Sequence, residues 1–261
     1  MTRPLTDSSP AALLPHVRTI AHEAGQVILR FYNDRCDVST KADGSPVSQA
    51  DHAAESVILP ALRHLTPDLP IVAEESCATH GFPELSGPRF WLVDPLDGTK
   101  EFISRNGEFT VNIALIENGA PVLGVVYAPV TGDLYAASGP GTAVHWQEGR
   151  HDHAIRTRTP PEAGLTVVAS RSHGSPELTD AFLAGFTVAE RISCGSSLKF
   201  CALACGRADL YPRFGPTMEW DTAAGHAVLS AAGGRVETPE GAPLLYGKAD
   251  FRNSFFIAHA R

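Results

Sequence analysis

Apolar residues recur at helical spacing over roughly residues 11–33, where Leu13, Leu14, Val17, Ile20, Ala21, Ala24, Ile28 and Phe31 make one stripe. That spacing predicts an amphipathic helix. A polar, turn-rich loop at 39–49 follows, placed to cover something. Asp51 then opens a second helix that runs to about Leu65 and ends before Pro67 and Pro70. Short apolar runs at 70–75 and 90–94 read as strands, and both end in acids. Residues 109–137 alternate with turns at Asn118-Gly119 and Thr131-Gly132, which predicts an antiparallel meander. A polar stretch follows at 138–163. The second half alternates strand and helix: strand 165–169, helix 176–184, strand 186–192, helix 197–205, strand 207–212, helix 221–232, and strands near 235–237 and 254–258. This order divides the chain into an α+β lobe over 1–140 and an α/β lobe over 141–261.

Composition narrows the function classes. The chain has 261 residues and a formal net charge of −8, with no basic face for a nucleic-acid polymer to bind. No apolar run is long enough to span a membrane, and the N-terminus shows no export signal. The five cysteines (Cys36, Cys77, Cys194, Cys201, Cys205) are odd in number and lack a Cys-x-x-Cys pair. A reducing cytoplasm is the expected setting, with peripheral association at the inner membrane left open.

The candidate chemistry lies at 91–102, WLVDPLDGTKEF, where an apolar strand runs into Asp94 and Asp97. Two carboxylates so close together call for a cation, and with only oxygen ligands on offer a hard divalent ion fits. Gly98 and Thr99 then open a helix whose free N–H groups suit an anion. Glu74 and Asp221 also terminate predicted elements, so four carboxylates carry about −4 and need compensation. Each acid has a plainer reading. Asp221 and Asp51 would serve as helix caps, Glu74 as half of a solvated pair with Glu75, and Thr99 as a turn hydroxyl. Lys199 and Arg213 taken singly read as solvated charges.

Taken together, AEES, WLVDPLDGTKEF and EWDTAAGHAVLSAAGG resemble the inositol monophosphatase superfamily of metal-dependent, lithium-sensitive phosphatases, over almost the full length. KADGSPVSQAD, DGTKEFISRNGEFTVNIALI, GSSLKF and YPRFGPTMEWDTAAGHAV make the chain most similar to the 3'(2'),5'-bisphosphate nucleotidases of the CysQ type. The resemblance implies a layered αβαβα sandwich. It also implies two Mg2+ ions, one on Glu74, Asp94 and the Leu96 carbonyl, the other on Asp94, Asp97 and Asp221. A third ion near Asp51 and Glu74 is compatible. Thr99 and Asp51 match the positions that hydrogen-bond the attacking water and accept its proton. Gly98 and Thr99 would hold the scissile phosphate, while Ser196, Lys199, Arg213, His173 and Lys41 would bind the rest of a small phosphorylated nucleotide. The implied reaction removes the 3'-phosphate of 3'-phosphoadenosine 5'-phosphate, by a monomer or a homodimer. Alternatives are an inositol monophosphatase, a fructose-1,6-bisphosphatase-like sugar phosphatase, or a non-catalytic nucleotide or metal sensor. The loop at 76–88 offers no recognisable adenine pocket.

Overall fold

The computed structural model describes residues 7–33, 46–170 and 174–261. Lys41, His173 and Cys36 lie outside them. Helix α1 (Pro10–Asn33) begins on a proline, whose fixed φ suits the first helical position and whose missing N–H is no loss there. The Ser9 hydroxyl accepts the Ala12 N–H at 3.3 Å and caps the turn. The predicted stripe is buried at Leu13, Val17, Ile20, Ala21, Ala24 and Ile28, while Leu14 and Phe31 are half-buried at its margins. Each fully buried Leu or Ile contributes roughly 1.5–3 kcal/mol.

Helix α2 (Pro46–Leu65) also opens on a proline, not at Asp51. Asp51 therefore lies within the helix and cannot be its cap. The expected 39–49 loop concealed this start because proline reads as a breaker unless it is recognised as a first-turn residue. The predicted strand at 70–75 is shorter too. β1 (Ile71–Ala73) stops before the acids, and Glu74 opens α3 (Glu74–His80), so the expected 76–88 loop is helical as far as His80.

The first sheet contains seven strands in chain order. β1 pairs parallel with β2 (Arg89–Asp97), which is followed by the short helix α4 (Thr99–Ile103). An antiparallel run then continues through β3 (Thr110–Glu117), β4 (Ala120–Ala128), β5 (Asp133–Ala137), β6 (Val144–Gln147) and β7 (His153–Ala154). The remaining elements are β8 (Leu165–Ala169), α5 (Pro176–Leu183), β9 (Val188–Ser193), α6 (Leu198–Ala204), β10 (Leu210–Arg213), α7 (Ala223–Ala231), β11 (Arg235–Glu237) and β12 (Phe256–His259). Their strands form a second sheet in the order β11-β12-β10-β8-β9.

Alternation along β3 shows how the layers stack. Val111, Ile113 and Leu115 face the core shared with α1 and α2, whereas Ala114 and Ile116 face the core shared with α6, α7 and the second sheet. On the far side of the second sheet, Val167, Leu210 and Ile257 pack against Leu183 of α5. The result is an αβαβα sandwich. Helix α7 is buried between the sheets, which explains why AAGHAVLSA is apolar all round. Its approach is very close: a Cβ at Gly124 of β4 would lie 2.4 Å from the Ala224 carbonyl oxygen and 2.7 Å from the Ala227 Cβ.

Candidate active site

The sequence places Asp94 and Asp97 three apart, and on a regular strand this spacing would send them to opposite faces. The structure resolves this with a bulge. Asp94 pairs with Asn112 and Asp97 with Thr110, so β2 uses one residue more than β3 over the same interval. Both carboxylates thereby turn to the α6/α7 side. The strand passes through Asp94 and has Asp97 as its last residue, and the Leu96 N–H donates to Asp94 Oδ1 at 3.0 Å. Gly98 follows with φ 102, a left-handed conformation that a side chain would strain, and turns the chain into α4.

Glu74 arrives from the neighbouring β1 edge and Asp221 from the turn ahead of α7. Glu74, Asp94 and Asp221 each offer an oxygen within 4.8 Å of the others, a set able to hold a metal ion. Asp97 stands just outside this group, with Oδ2 accepting the Asn112 amide at 3.1 Å. Asp221 is not the cap of α7. Thr222 occupies that position, and Asp221 Oδ2 instead accepts the Met218 N–H at 2.9 Å.

The cluster is electrostatically uncomfortable without a cation. Burial first, then the charges of Glu74, Asp97 and Asp221, push the Asp94 carboxyl well above its ordinary range. Asp221 is raised in the same way, by burial and Asp97. Burial and the neighbouring Asp97 and Glu75 lift Glu74 to about 7. For Asp97, burial outweighs the opposing pull of Lys199, Asn112 and Ser197. Hard oxygen donors in this state fit a divalent cation, which would cancel the repulsion.

Asp51 sits behind this group in α2, buried, with Oδ1 unpartnered among the described residues. Burial and the charges of Glu75, Glu74 and Glu55 raise it to about 9. Glu55, which sequence reasoning missed, accepts the Glu75 N–H at 3.1 Å and the Ser76 hydroxyl, and so anchors the start of α3. Its signal was available: Asp51 and Glu55 are four apart, on the helix face that buries Ala54, Ile58 and Leu62.

A cleft of about 380 Å³ opens onto the carboxylates. Glu74, Asp94, Leu96, Asp97 and Asp221 line it, as do Gly98, Thr99, Ser196, Lys199 and Arg213. Asp51 is absent from its walls. Ser196 lies ahead of α6, which carries Lys199. It occupies the preceding turn with φ 43, and its hydroxyl donates to the Glu108 carbonyl at 2.9 Å. Lys199 is buried, and its ammonium donates to the carbonyls of Ser196 at 2.7 Å and Cys194 at 3.2 Å. Burial lowers its pKa, opposed by the Asp97 charge. Arg213 ends β10, buried, with Nη2 donating to the Pro216 carbonyl at 2.9 Å. Neither is a solvated surface charge. Glu219, the first acid of the EWD stretch, has a different task from Asp221. Fully buried, it accepts the N–H groups of Gly247 at 2.7 Å and Lys248 at 3.0 Å and pairs with the Lys248 ammonium at 2.6 Å.

No helix among the described residues is long and apolar enough to cross a membrane. Residues 11–255 match the inositol monophosphatase family. The 3'(2'),5'-bisphosphate nucleotidase CysQ of Escherichia coli strain K12 is 51% identical over 239 residues, covering 90% of this chain and 94% of the relative. The crystal structure of CysQ from Bacteroides thetaiotaomicron is 40% identical with a TM-score of 0.79, covering 93% of this chain and 95% of that one. The inositol monophosphatase of Anabaena (Nostoc) sp. PCC 7120 is 27% identical with a TM-score of 0.75, covering 96% and 91%. The matched span contains Glu74, Asp94, Asp97 and Asp221 and the whole of the first sheet, and the chain belongs to the inositol monophosphatase family.

Proposed function

We propose that this chain is a Mg2+-dependent phosphatase that hydrolyses the 3'-phosphate of 3'-phosphoadenosine 5'-phosphate to AMP and phosphate. In the cytoplasm this would recycle the by-product of sulfate activation. One observation carries the reading: a single cleft gathers Glu74, Asp94, Asp97 and Asp221 together with the cations Lys199 and Arg213. A polyol monophosphate needs no cation beyond the metals, whereas a nucleoside bisphosphate brings a second phosphate that does. The names of the CysQ relatives support the same substrate class.

Glu74, Asp94 and the Leu96 carbonyl would hold one Mg2+, and Asp94, Asp97 and Asp221 a second; a third would lie near Asp51 and Glu74. Bound there, the ions supply positive charge that offsets the carboxylates and stabilises negative charge developing around phosphorus. The protein's own groups do the rest. The Thr99 hydroxyl would orient a water in the cleft, and the water's proton would pass to Asp51 in its ionised form, set behind the carboxylates and off the cleft wall. The water oxygen bonds to phosphorus, the bond from phosphorus to the ribose 3'-oxygen breaks, that oxygen takes up a proton from solvent, and Asp51 returns its own proton to solvent. The N–H groups of Gly98 and Thr99 hold the scissile phosphate. Arg213 and Lys199, whose ammonium keeps one hydrogen beyond the two given to carbonyls, receive the remaining phosphate, and Ser196, its hydroxyl hydrogen given to the Glu108 carbonyl, offers it the backbone of the same turn.

The test is kcat/KM for the bisphosphate nucleotide, inositol 1-phosphate and fructose 1,6-bisphosphate, with Mg2+ and an Asp94→Asn control. Arg213→Ala should raise KM for the bisphosphate far more than for the polyol monophosphate. Equal small effects on both would remove the case for the nucleotide. Phosphate release from none of the three would favour a sensor.

A further inference from the structure

Three buried polar side chains beside the cleft have no part in the chemistry above: Thr110, Asn112 and Ser197, each at most 1% exposed. They form a directional chain of hydrogen bonds. The Thr110 hydroxyl donates to Asn112 Oδ1 at 3.0 Å. The two hydrogens of Asn112 Nδ2 go to Asp97 Oδ2 and Ser197 Oγ, both at 3.1 Å. The Ser197 hydroxyl donates in turn to the Asp221 carbonyl at 2.7 Å. Every donor finds an acceptor, and this order fixes the amide. Turned over, it would set its oxygen against the Asp97 carboxylate and leave the Thr110 hydroxyl facing an N–H donor.

The bulge in β2 brings these groups together. Asp94 and Asp97 share a face with their cross-strand partners Asn112 and Thr110, so the amide lies between the aspartates and α6. Asp94 has its own anchor in the Leu96 N–H and belongs to the tight group with Glu74 and Asp221. Asp97 is the carboxylate outside that group, and the Asn112 amide, with the Ser197 backbone N–H, orients it. The same amide reaches, through Ser197, the backbone that carries Asp221.

We propose that Asn112 is a positioning residue that sets how tightly the second metal ion binds while leaving the first nearly unaffected. By holding Oδ2 of Asp97 it presents Oδ1 to the cation, and through Ser197 it ties the Asp97 strand to the Asp221 turn. This inference rests on the two-ion reading above. A stretch such as FTVNIALI gives a sequence clue only in retrospect: an amide occupies an otherwise apolar strand, two residues after a threonine.

The experiment is calorimetric titration of the whole chain with MgCl2 alone, comparing the natural sequence with Asn112→Ala and with Asn112→Leu, which keeps the volume but removes the donors. Two binding events are expected for the natural protein. In the variants the weaker event should lose roughly ten- to hundredfold in affinity, the range typical of partners that orient a metal ligand. The tighter event should be unchanged, and KM for Mg2+ should rise with kcat preserved at saturating Mg2+. A purely structural role would lower the melting temperature and keep the ratio of the two affinities as in the natural protein, which overturns the proposal. So would unchanged affinities in both variants. A single event in the natural protein would instead refute the two-ion reading, and this role with it.

Discussion

Asp94→Asn should stabilise the metal-free protein while removing its response to magnesium. The substitution keeps an oxygen to accept the Leu96 N–H, now 3.0 Å from Oδ1, so the local backbone loses nothing. It removes one charge from a group whose oxygens lie within 4.8 Å of one another. At that distance and an effective dielectric of about 20, a fully ionised pair repels by roughly 3.5 kcal/mol. Proton uptake already relieves part of this, because burial and the neighbouring acids hold the Asp94 pKa well up. A net gain of about 1–3 kcal/mol remains, which for a chain of this size raises the melting temperature by about 2–4 °C per kcal/mol. In EDTA, the variant should therefore melt several degrees above the natural protein. Addition of Mg2+ at a hundredfold over its Kd should stabilise the natural protein by about 2.7 kcal/mol and the variant hardly at all. Phosphate release should vanish in parallel. A variant that melts at or below the natural protein in EDTA would refute the view that the carboxylates repel one another in the empty site.

Two further outcomes test the scaffold. His226, buried on α7 with Nδ1 3.0 Å from the Tyr246 hydroxyl, has its pKa lowered by desolvation from 6.5 to about 3. The folded protein thus keeps it neutral while the unfolded chain protonates it below pH 6.5, so stability falls with pH from 6.5 down to about 3. Between pH 7 and 5 the loss is about 2 kcal/mol. Urea denaturation should show that loss relative to His226→Gln, and parallel curves for the two proteins would contradict it. Gly124→Val should cost about 1–3 kcal/mol or more by forcing α7 off β4, since even a Cβ there would meet the Ala224 carbonyl oxygen at 2.4 Å. An unchanged denaturation midpoint would show that α7 can shift freely.

The sequence was most informative where one local rule sufficed. The stripe from Leu13 to Ile28 found α1, the Asn118-Gly119 and Thr131-Gly132 turns found the meander, and β8 and β11 came out at their predicted bounds. It was least informative where two elements jointly decide a residue's fate. Spacing alone sends Asp94 and Asp97 to opposite faces, and only the pairing of β2 with β3 reveals the extra residue that brings them together. Lys199, which the family resemblance assigns to the nucleotide, does line the cleft. Its ammonium is also shared with the carbonyls of a left-handed turn, which no one-dimensional pattern predicts.

The acids show why such sites are only partly readable. Glu219 and Asp221 are two residues apart in one short stretch and both are deeply set, yet Glu219 is neutralised by Lys248 and two backbone N–H groups. Asp221 receives a single N–H, from Met218, and is left among other carboxylates. Composition and spacing cannot separate these cases, because the distinction lies in what the folded chain brings to each carboxylate. A satisfied acid braces a loop. An acid left short of partners, beside others in the same state, stores an unfavourable interaction that a cation can relieve, and that contrast within one tripeptide is the strongest physical reason to place the chemistry at Asp221 and not at Glu219.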